Sequence, residues 1–554
     1  MAKKLKKNGF IDGTLVSYIS IVFTKILGML YIIPFTALIG TGGKYIYSCV
    51  YIIYNLVLNA STSGIPTATS ILIADYNTRE LHKTKMKIYR VGNAVSLSMG
   101  ILFFLILEIF ANQIAEFYTT TITTQTTVSI SEFASAIRCI GVCLLVVPFL
   151  SVYRGFLQGH KILTVSAFSQ VVEQIVRIGV VLLGAYFVVR QLHLSSTLAV
   201  DVALLGAGVG ALAAIIYLKI KTRNSDDVIV KTSDESEVLS TKHIIKMFVF
   251  YCIPILIVAV SANIYELVDQ VLVIYTLTKL NFGNAATEIG SIISTYGPKI
   301  AMIISALAMG MTSSIVPEMS AFAAKHDYKQ ANHKLCSALN IIFAIALPIA
   351  TGIVILSDSV YSLFYGNDSI EYGSFILKFI IPVNVVSCIK ITLCMAMQGL
   401  KKTKAVCFAT ITGIIANLIL DIPLMLLLYY MGMTKHCYVG AMIATVIGQS
   451  SCIFIILGVL KKSLGFSYNS ILKPFIKVLY PTAIMGVVIY ILNYILPITT
   501  TRSIIQIIHL CIYAGIGAII YFVIIYLNGA VDEVFGDGVV SKILRKLKLK
   551  KDHK

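Results

Sequence analysis

The chain is 554 residues long, 57% hydrophobic and only 13% charged, with a mean hydropathy of +0.87. Soluble globular domains have an apolar share nearer ~45–50%, so a water-soluble protein is excluded and a polytopic membrane protein is expected. The net charge of +19 would suit a nucleic-acid partner in a soluble chain, so its distribution has to be read before any partner is assigned.

Apolar runs long enough to cross a hydrocarbon core of ~30 Å fall at 13–39, 45–74, 91–110, 133–153, 163–189, 196–218, 246–276, 289–317, 336–357, 374–398, 404–430, 438–460, 474–496 and 504–527. Fourteen spans put both termini on one side. Of the 45 lysines and arginines, 34 lie in the termini and loops of that side, while the opposite loops carry only Lys44, Arg190, Lys279, Lys435 and Arg502. The positive-inside rule makes the basic side, and with it both termini, cytoplasmic. The charge excess reports topology, and no nucleic-acid partner is needed to explain it.

The start, MAKKLKKNGF and a long apolar run, has no small-residue cleavage site and reads as a retained first helix. That helix carries Lys25. A lysine in mid-membrane costs roughly 2.5–17 kcal/mol unless it meets water, an anion or a partner, so Lys25 is a functional candidate; the alternative is snorkelling or pairing with an acid such as Glu173. GTGGK at 40–44 resembles the end of a phosphate-binding loop, but Leu38 and Tyr45 stand where that motif needs a glycine and a Ser or Thr. It is an outer turn.

The second helix ends in STSGIPTATS, where Gly64 and Pro66 serve either as a hinge or as a packing feature. Helices four and five contribute Arg138, Glu173 and Arg177; the last two are spaced i, i+4 and can neutralise one another, or line a polar cavity and exchange partners. KTRNSDDVIVKTSDESEVLSTK, the most polar stretch, is a cytoplasmic linker. Glu266 and Asp269, one turn apart on helix seven, could bind a cation or proton, although an outer-interface position is expected. Lys299 follows Pro298 in helix eight. Lys378, Lys390 and Asp421 read as interface or packing charges, the eleven cysteines as small apolar residues, and SKILRKLKLKKDHK as a tail against anionic lipid.

The chain also repeats itself. YRGFLQGHKILTVSAFSQVVEQIVR (153–177) is echoed by AMQGLKKTKAVCFATITGIIANLIL (396–420): an apolar run, Gln-Gly, a basic turn, a second apolar run. Pro66 and Pro317 lie 251 apart, Tyr118 and Tyr365 247, Gln158 and Gln398 240, Gly206 and Gly440 234. A steadily drifting offset argues for two homologous halves. The expected organisation is all-α: an N-lobe of six helices (1–218), a linker (219–243), a C-lobe of six (244–462), two added helices (463–530) and a basic tail (531–554). Parallel repeats of this kind suggest a substrate site between lobes that rock. The charges expected there are cationic, Lys25 and Lys299 with Arg177 and Arg138, which suits an anionic group such as phosphate or pyrophosphate. Glu173, Asp269, Glu266, Gly64 and Pro66 are the candidates for gating or coupling. No catalytic residue and no resident metal is expected.

TKILGMLYIIPFTALIGTGG, STSGIPTATS, YRGFLQGHKILTVSAFSQVVEQIVR, YGPKIAMIISALAMGMTSSIVPEMS and MAMQG together resemble the polysaccharide-biosynthesis, stage V sporulation protein B-like branch of the multidrug/oligosaccharidyl-lipid/polysaccharide exporter superfamily. KILGMLYIIPF is most similar to the MurJ-type lipid II flippases of Gram-positive bacteria. The resemblance implies fourteen helices in a MATE-like fold. It also implies a bacterial plasma-membrane protein that carries an undecaprenyl-pyrophosphate-linked sugar to the outer leaflet, working beside the cell-wall synthesis machinery. Lys25 and Lys299 match the family's basic positions in helices one and eight. Tyr31 stands where many lipid II flippases have a second arginine, and Ile71 where relatives often have lysine, which leaves the substrate open among lipid II, teichoic and capsular units. No cofactor is implied; Na+, H+ or the membrane potential would supply the drive.

The physics agrees, since a bisphosphate head cannot enter hydrocarbon unaided while its prenyl tail can stay there. The rivals are a cation-coupled drug exporter of the same superfamily, a glycosyltransferase and a non-transporting scaffold. The exporter needs acids facing its substrate. The glycosyltransferase would need a catalytic outer loop, and the long outer loop ANQIAEFYTTTITTQTTVSIS is mostly threonine and serine.

Overall fold

The computed structural model describes residues 10–62, 64–122, 128–223, 238–367, 369–465, 469–529 and 531. The centre of the polar linker (224–237) and the basic tail (532–554) lie outside the described residues. Among the described residues there is no strand, and fourteen helices are long and apolar enough to cross a membrane. They are α1 (Ile19–Gly40), α2 (Gly42–Asn77), α3 (His82–Thr120), α4 (Ile130–Gly159), α5 (Leu163–Gln191), α6 (Ser196–Thr222), α7 (Ile255–Lys279), α8 (Ala285–Ala306), α9 (Tyr328–Ile355), α10 (Ile370–Gly399), α11 (Thr403–Tyr430), α12 (Val439–Ser463), α13 (Ile471–Ile495) and α14 (Ile504–Leu527). The number agrees with the count of apolar runs.

The repeat is written in the backbone as well as the sequence. After α4 and after α10 the chain turns through a lysine with positive φ, Lys161 (62°) and Lys401 (60°). In both turns the next amide reaches back five residues, Ile162 to the Leu157 carbonyl at 2.9 Å and Lys402 to Met397 at 3.0 Å. This bond closes a helix C-terminus whose last carbonyls would otherwise be unpaired. Glu80 (60°) and His326 (54°) form a second such pair, with Leu81 bonded to Tyr76 and Asp327 to Phe322 at 3.0 Å each. Gly40 (63°) and Asn281 (62°) also have positive φ, at the ends of α1 and α7.

The Gln-Gly pairs explain themselves in packing. A Cβ on Gly159 would lie 2.9 Å from the Ser70 carbonyl oxygen, and one on Gly399 would lie 2.7 Å from that of Val316. Each glycine lets its helix touch the backbone of the proline-bearing helix of its own half, the small-residue contact by which membrane helices associate. Gly155 rests in the same way on the backbone of Pro66. Gly64 lies against Cys252, so both Gly64 and Pro66 are close-packing positions.

Contact density divides the chain into two compact units, 1–302 with 414–445, and 303–413 with 446–554. This grouping differs from lobes drawn at 1–218 and 244–462. In the first unit, the helix running into α7 and the start of α8 pack with α2 and α3: Cys252, just before α7, meets Gly64, and Ser48 of α2 donates to Ser291 of α8 at 2.8 Å. In the second unit, α13 and α14 share a core with α9 built around Val478, Met485, Tyr513 and Tyr521, and Tyr521 donates to the Ala344 carbonyl at 2.7 Å.

Candidate functional site

Tyr47, Tyr51 and Tyr54 are spaced i, i+4 and i+7 and therefore share one face of α2. Lys299 comes against that face directly after a five-residue π-helical turn, Ile292–Tyr296, and Pro298. Such turns re-aim the side chains that follow and are frequent at functional sites. The Lys299 ammonium is 4.4 Å from the ring centroids of Tyr47 and Tyr51, 5.7 Å from that of Tyr31, and donates to the Tyr47 hydroxyl at 3.2 Å. The Tyr31 and Tyr47 hydroxyls are 2.8 Å apart. Lys299 is only 4% exposed, so its charge is met by aromatic faces and one hydroxyl. Cation–π contacts of this kind contribute ~0.5–2 kcal/mol, little against the desolvation of an ammonium.

Arg177 extends the same arrangement. Its guanidinium carbon lies 5.9 Å from the Tyr51 ring and 6.0 Å from the Tyr54 ring. It is within electrostatic reach of both Lys25 and Lys299, and Glu266 is within reach of Lys25. The structure thus gathers Lys25, Arg177 and Lys299, with Glu266, in one region of the first unit. Tyr31, which stands where many lipid II flippases have an arginine, supplies a ring and a hydroxyl to it.

Arg138 stands elsewhere. It pairs with Glu108 at 3.3 Å on α3, and both side chains are 43% exposed. Glu173 does not take up Arg177, four residues on; its carboxylate pairs with Arg154 at 2.8 Å, and Arg154 also donates to Ser169 at 2.8 Å. The tight turn at Lys161 folds α5 back on α4, which brings Arg154 to Glu173 and leaves Arg177 to the tyrosines.

Asp269 is a correction to its expected interface position, because it is buried at 7% exposure among polar groups of three helices. Its carboxylate accepts from Asn417 Nδ2 at 3.1 Å and from Thr445 Oγ1 at 2.8 Å. Asn417 Nδ2 also lies 3.0 Å from Asp421 Oδ1, and Asp421 is fully buried. Asn417 Oδ1 and Asp421 Oδ2 are buried without a hydrogen-bond partner, which is unusual for polar atoms inside a protein. Asn417 and Thr445 escaped sequence reasoning because uncharged polar residues do not interrupt an apolar run. The repeat held a signal: with Gln158 set against Gln398, Arg177 falls against Asn417.

A third polar group links α2 and α7. Asn59 Nδ2 donates to Asn263 Oδ1 at 2.6 Å, and Asn263 Nδ2 lies 3.4 Å from Glu266 Oε2.

Residues 10–322, more than half of the chain, match the sequence model of a family described as polysaccharide biosynthesis protein. The chain belongs to this family. Residues 254–423 also match the MatE family. Among curated relatives of this chain are the lipid II flippase MurJ of Bacillus subtilis (strain 168), 28% identical over 544 residues and 97% of each chain, and the uncharacterized membrane protein YabM of the same organism, 30% identical over 371 residues, 66% of this chain and 65% of YabM. Solved structures with the same fold include lipid II flippase MurJ in an inward closed conformation, with a TM-score of 0.65 and 17% identity over 96% of this chain and 100% of that one. A superfamily transporter from Pyrococcus furiosus has a TM-score of 0.62 and 16% identity over 84% of this chain and 100% of that one. The chain is a MurJ-like, multi-pass member of the multidrug/oligosaccharidyl-lipid/polysaccharide exporter superfamily, and a transport protein rather than an enzyme.

Proposed function

We propose that this protein is a flippase that moves an undecaprenyl-pyrophosphate-linked sugar, the peptidoglycan precursor lipid II, from the inner to the outer leaflet of the bacterial plasma membrane. The observation that carries this reading is the gathering of Lys25, Arg177 and Lys299 within membrane-spanning helices, where two of the charges are met by tyrosine rings. A buried cation met by polarisable rings and a single hydroxyl is poised to exchange them for an oxyanion, and charge-assisted bonds to phosphate are about twice as strong as neutral ones. The prenyl chain stays in lipid while the head crosses. Alternating access of the two six-helix lobes carries it, with both termini cytoplasmic as the lysine and arginine distribution indicates.

The drive is proposed to come from a cation, Na+ or H+, held by Asp269, Asn417, Asp421 and Thr445. Two carboxylates sharing one amide in a membrane interior cannot both stay charged without a proton or metal ion between them. Hard oxygen donors of this kind suit a small cation. The unpartnered Asn417 Oδ1 and Asp421 Oδ2 are where its ligands would be found. Substrate release and ion release are then linked through α7, which carries both Glu266 and Asp269.

The test is transfer of labelled lipid II across proteoliposomes, compared with Lys25→Ala and with a teichoic-type undecaprenyl lipid. Transfer that depends on Lys25 and prefers lipid II is the expected result. Preference for the teichoic-type lipid would overturn the substrate; transfer of neither, with ion-driven efflux of an organic cation, would overturn the flippase.

A further inference from the structure

The cationic region is continuous with an amide-rich one. On α2, Asn59 lies twelve residues beyond Tyr47, about 18 Å along the helix. Asn59 bonds Asn263 of α7 at 2.6 Å, and Asn263 is one turn from Glu266, which is within electrostatic reach of Lys25. On α5, Gln174 shares a face with Arg177, three residues on, and its Nε2 would stand 3.1 Å from a Cβ on Gly28, one turn from Lys25. Amides and a carboxylate therefore follow the cations along the same helices.

One structural use is available to them, since interhelical amide bonds hold membrane helices together. The Asn59–Asn263 bond does that for α2 and α7. The remaining contact of Asn263, with Glu266 at 3.4 Å, is long for a hydrogen bond and readily exchanged for another partner. Side-chain amides and carboxylates carry donors and acceptors in the planar, paired arrangement that vicinal hydroxyls and acetamido groups complement.

We propose that Asn59, Asn263, Gln174 and Glu266 form a carbohydrate subsite next to the phosphate-binding cations, reading the hydroxyl and acetamido groups of the sugar. This rests on the lipid-linked-sugar reading above and extends it to the uncharged part of the head group. The subsite sets which glycosylated lipids are accepted; the cations bind what all of them share.

The experiment measures transfer of two fluorescent lipids in proteoliposomes of the full chain, undecaprenyl pyrophosphate bearing an N-acetylated amino sugar and undecaprenyl pyrophosphate alone. Asn263→Leu and Gln174→Leu are expected to slow the glycosylated lipid about tenfold, the loss of one or two hydrogen bonds, and the bare pyrophosphate less than about twofold on the same scale. Equal slowing of both lipids, or no slowing of either, overturns the subsite. Should Asn263→Leu not fold, Asn59→Ser gives the same comparison while retaining a hydroxyl beside Asn263. Failure of the wild-type protein to move either lipid sinks the flippase reading and the subsite with it. Movement of both lipids at unchanged rates by the variants sinks the subsite alone.

Discussion

The helix pairs α1 with α5 and α7 with α11 have the same place in the two halves and opposite electrostatics. Gly40 and Asn281, both with positive φ, stand at the ends of α1 and α7, 241 residues apart, and that register sets Glu266 against Lys25. Lys161 and Lys401 open α5 and α11 in matching turns 240 apart, which sets Asn417 against Arg177. The first pair carries Lys25 and Arg177, the latter over tyrosine rings; the second buries Asp269 and Asp421 around an amide. Duplication fixed the turns and glycine contacts because these close backbone hydrogen bonds and permit close approach. The side chains pointing inward from the same backbone were free to diverge, and they came to carry cations in one half and carboxylates in the other.

The comparison can be broken most forcefully at the basic half. Lys299→Glu is expected to lower lipid transfer by about 100-fold or more, because a charge-assisted contact becomes a repulsion, whereas Arg138→Gln, on the exposed pair with Glu108, leaves it near wild type; similar losses in both would dissolve the distinction between gathered and outlying cations. At the acidic half, added Na+ is expected to raise the thermal midpoint of the purified protein, since a ligand held at 100 times its Kd stabilises by about 2.7 kcal/mol. Asp269→Asn should remove that rise. A midpoint indifferent to Na+ and to pH in the wild type would leave the carboxylate pair without a coupling role.

The shared framework is tested by paired substitutions. Gly159→Val and Gly399→Val should each destabilise by about 1–3 kcal/mol through overpacking, read as similar falls in melting temperature; a fall in one half only would mean that the glycines do different jobs. The smallest effect is expected at the turns, where Lys161→Gly and Lys401→Gly relieve a left-handed lysine and stabilise by up to about 1 kcal/mol each.

Much of this was legible in the residues. Apolar length gave fourteen spans, since a helix crossing lipid must be both long and uninterrupted. The Gln-Gly echoes marked the repeat, because only glycine admits the Ser70 and Val316 carbonyls so closely. Lys25, Arg177 and Lys299 drew notice because charge in hydrocarbon is rare. Partners were harder to read. The i, i+4 spacing favoured Glu173 with Arg177, but helical neighbours share only a face, and Arg154 arrives from another helix with a better geometry. The tyrosines, like Asn417 and Thr445, leave an apolar run unbroken and so carry no signal of their own.

Sequence by itself determined the class, the topology signal, the two halves and which side chains were too costly to be accidental, since each follows from composition, period or a local turn. Tertiary structure alone decided that Asp269 is buried with Asp421, that tyrosines of α1 and α2 enclose Lys299 from α8, and that Arg138 lies apart. Those contacts join residues up to 268 positions apart, Tyr31 and Lys299, and the energy of a buried charge depends on what another helix places beside it.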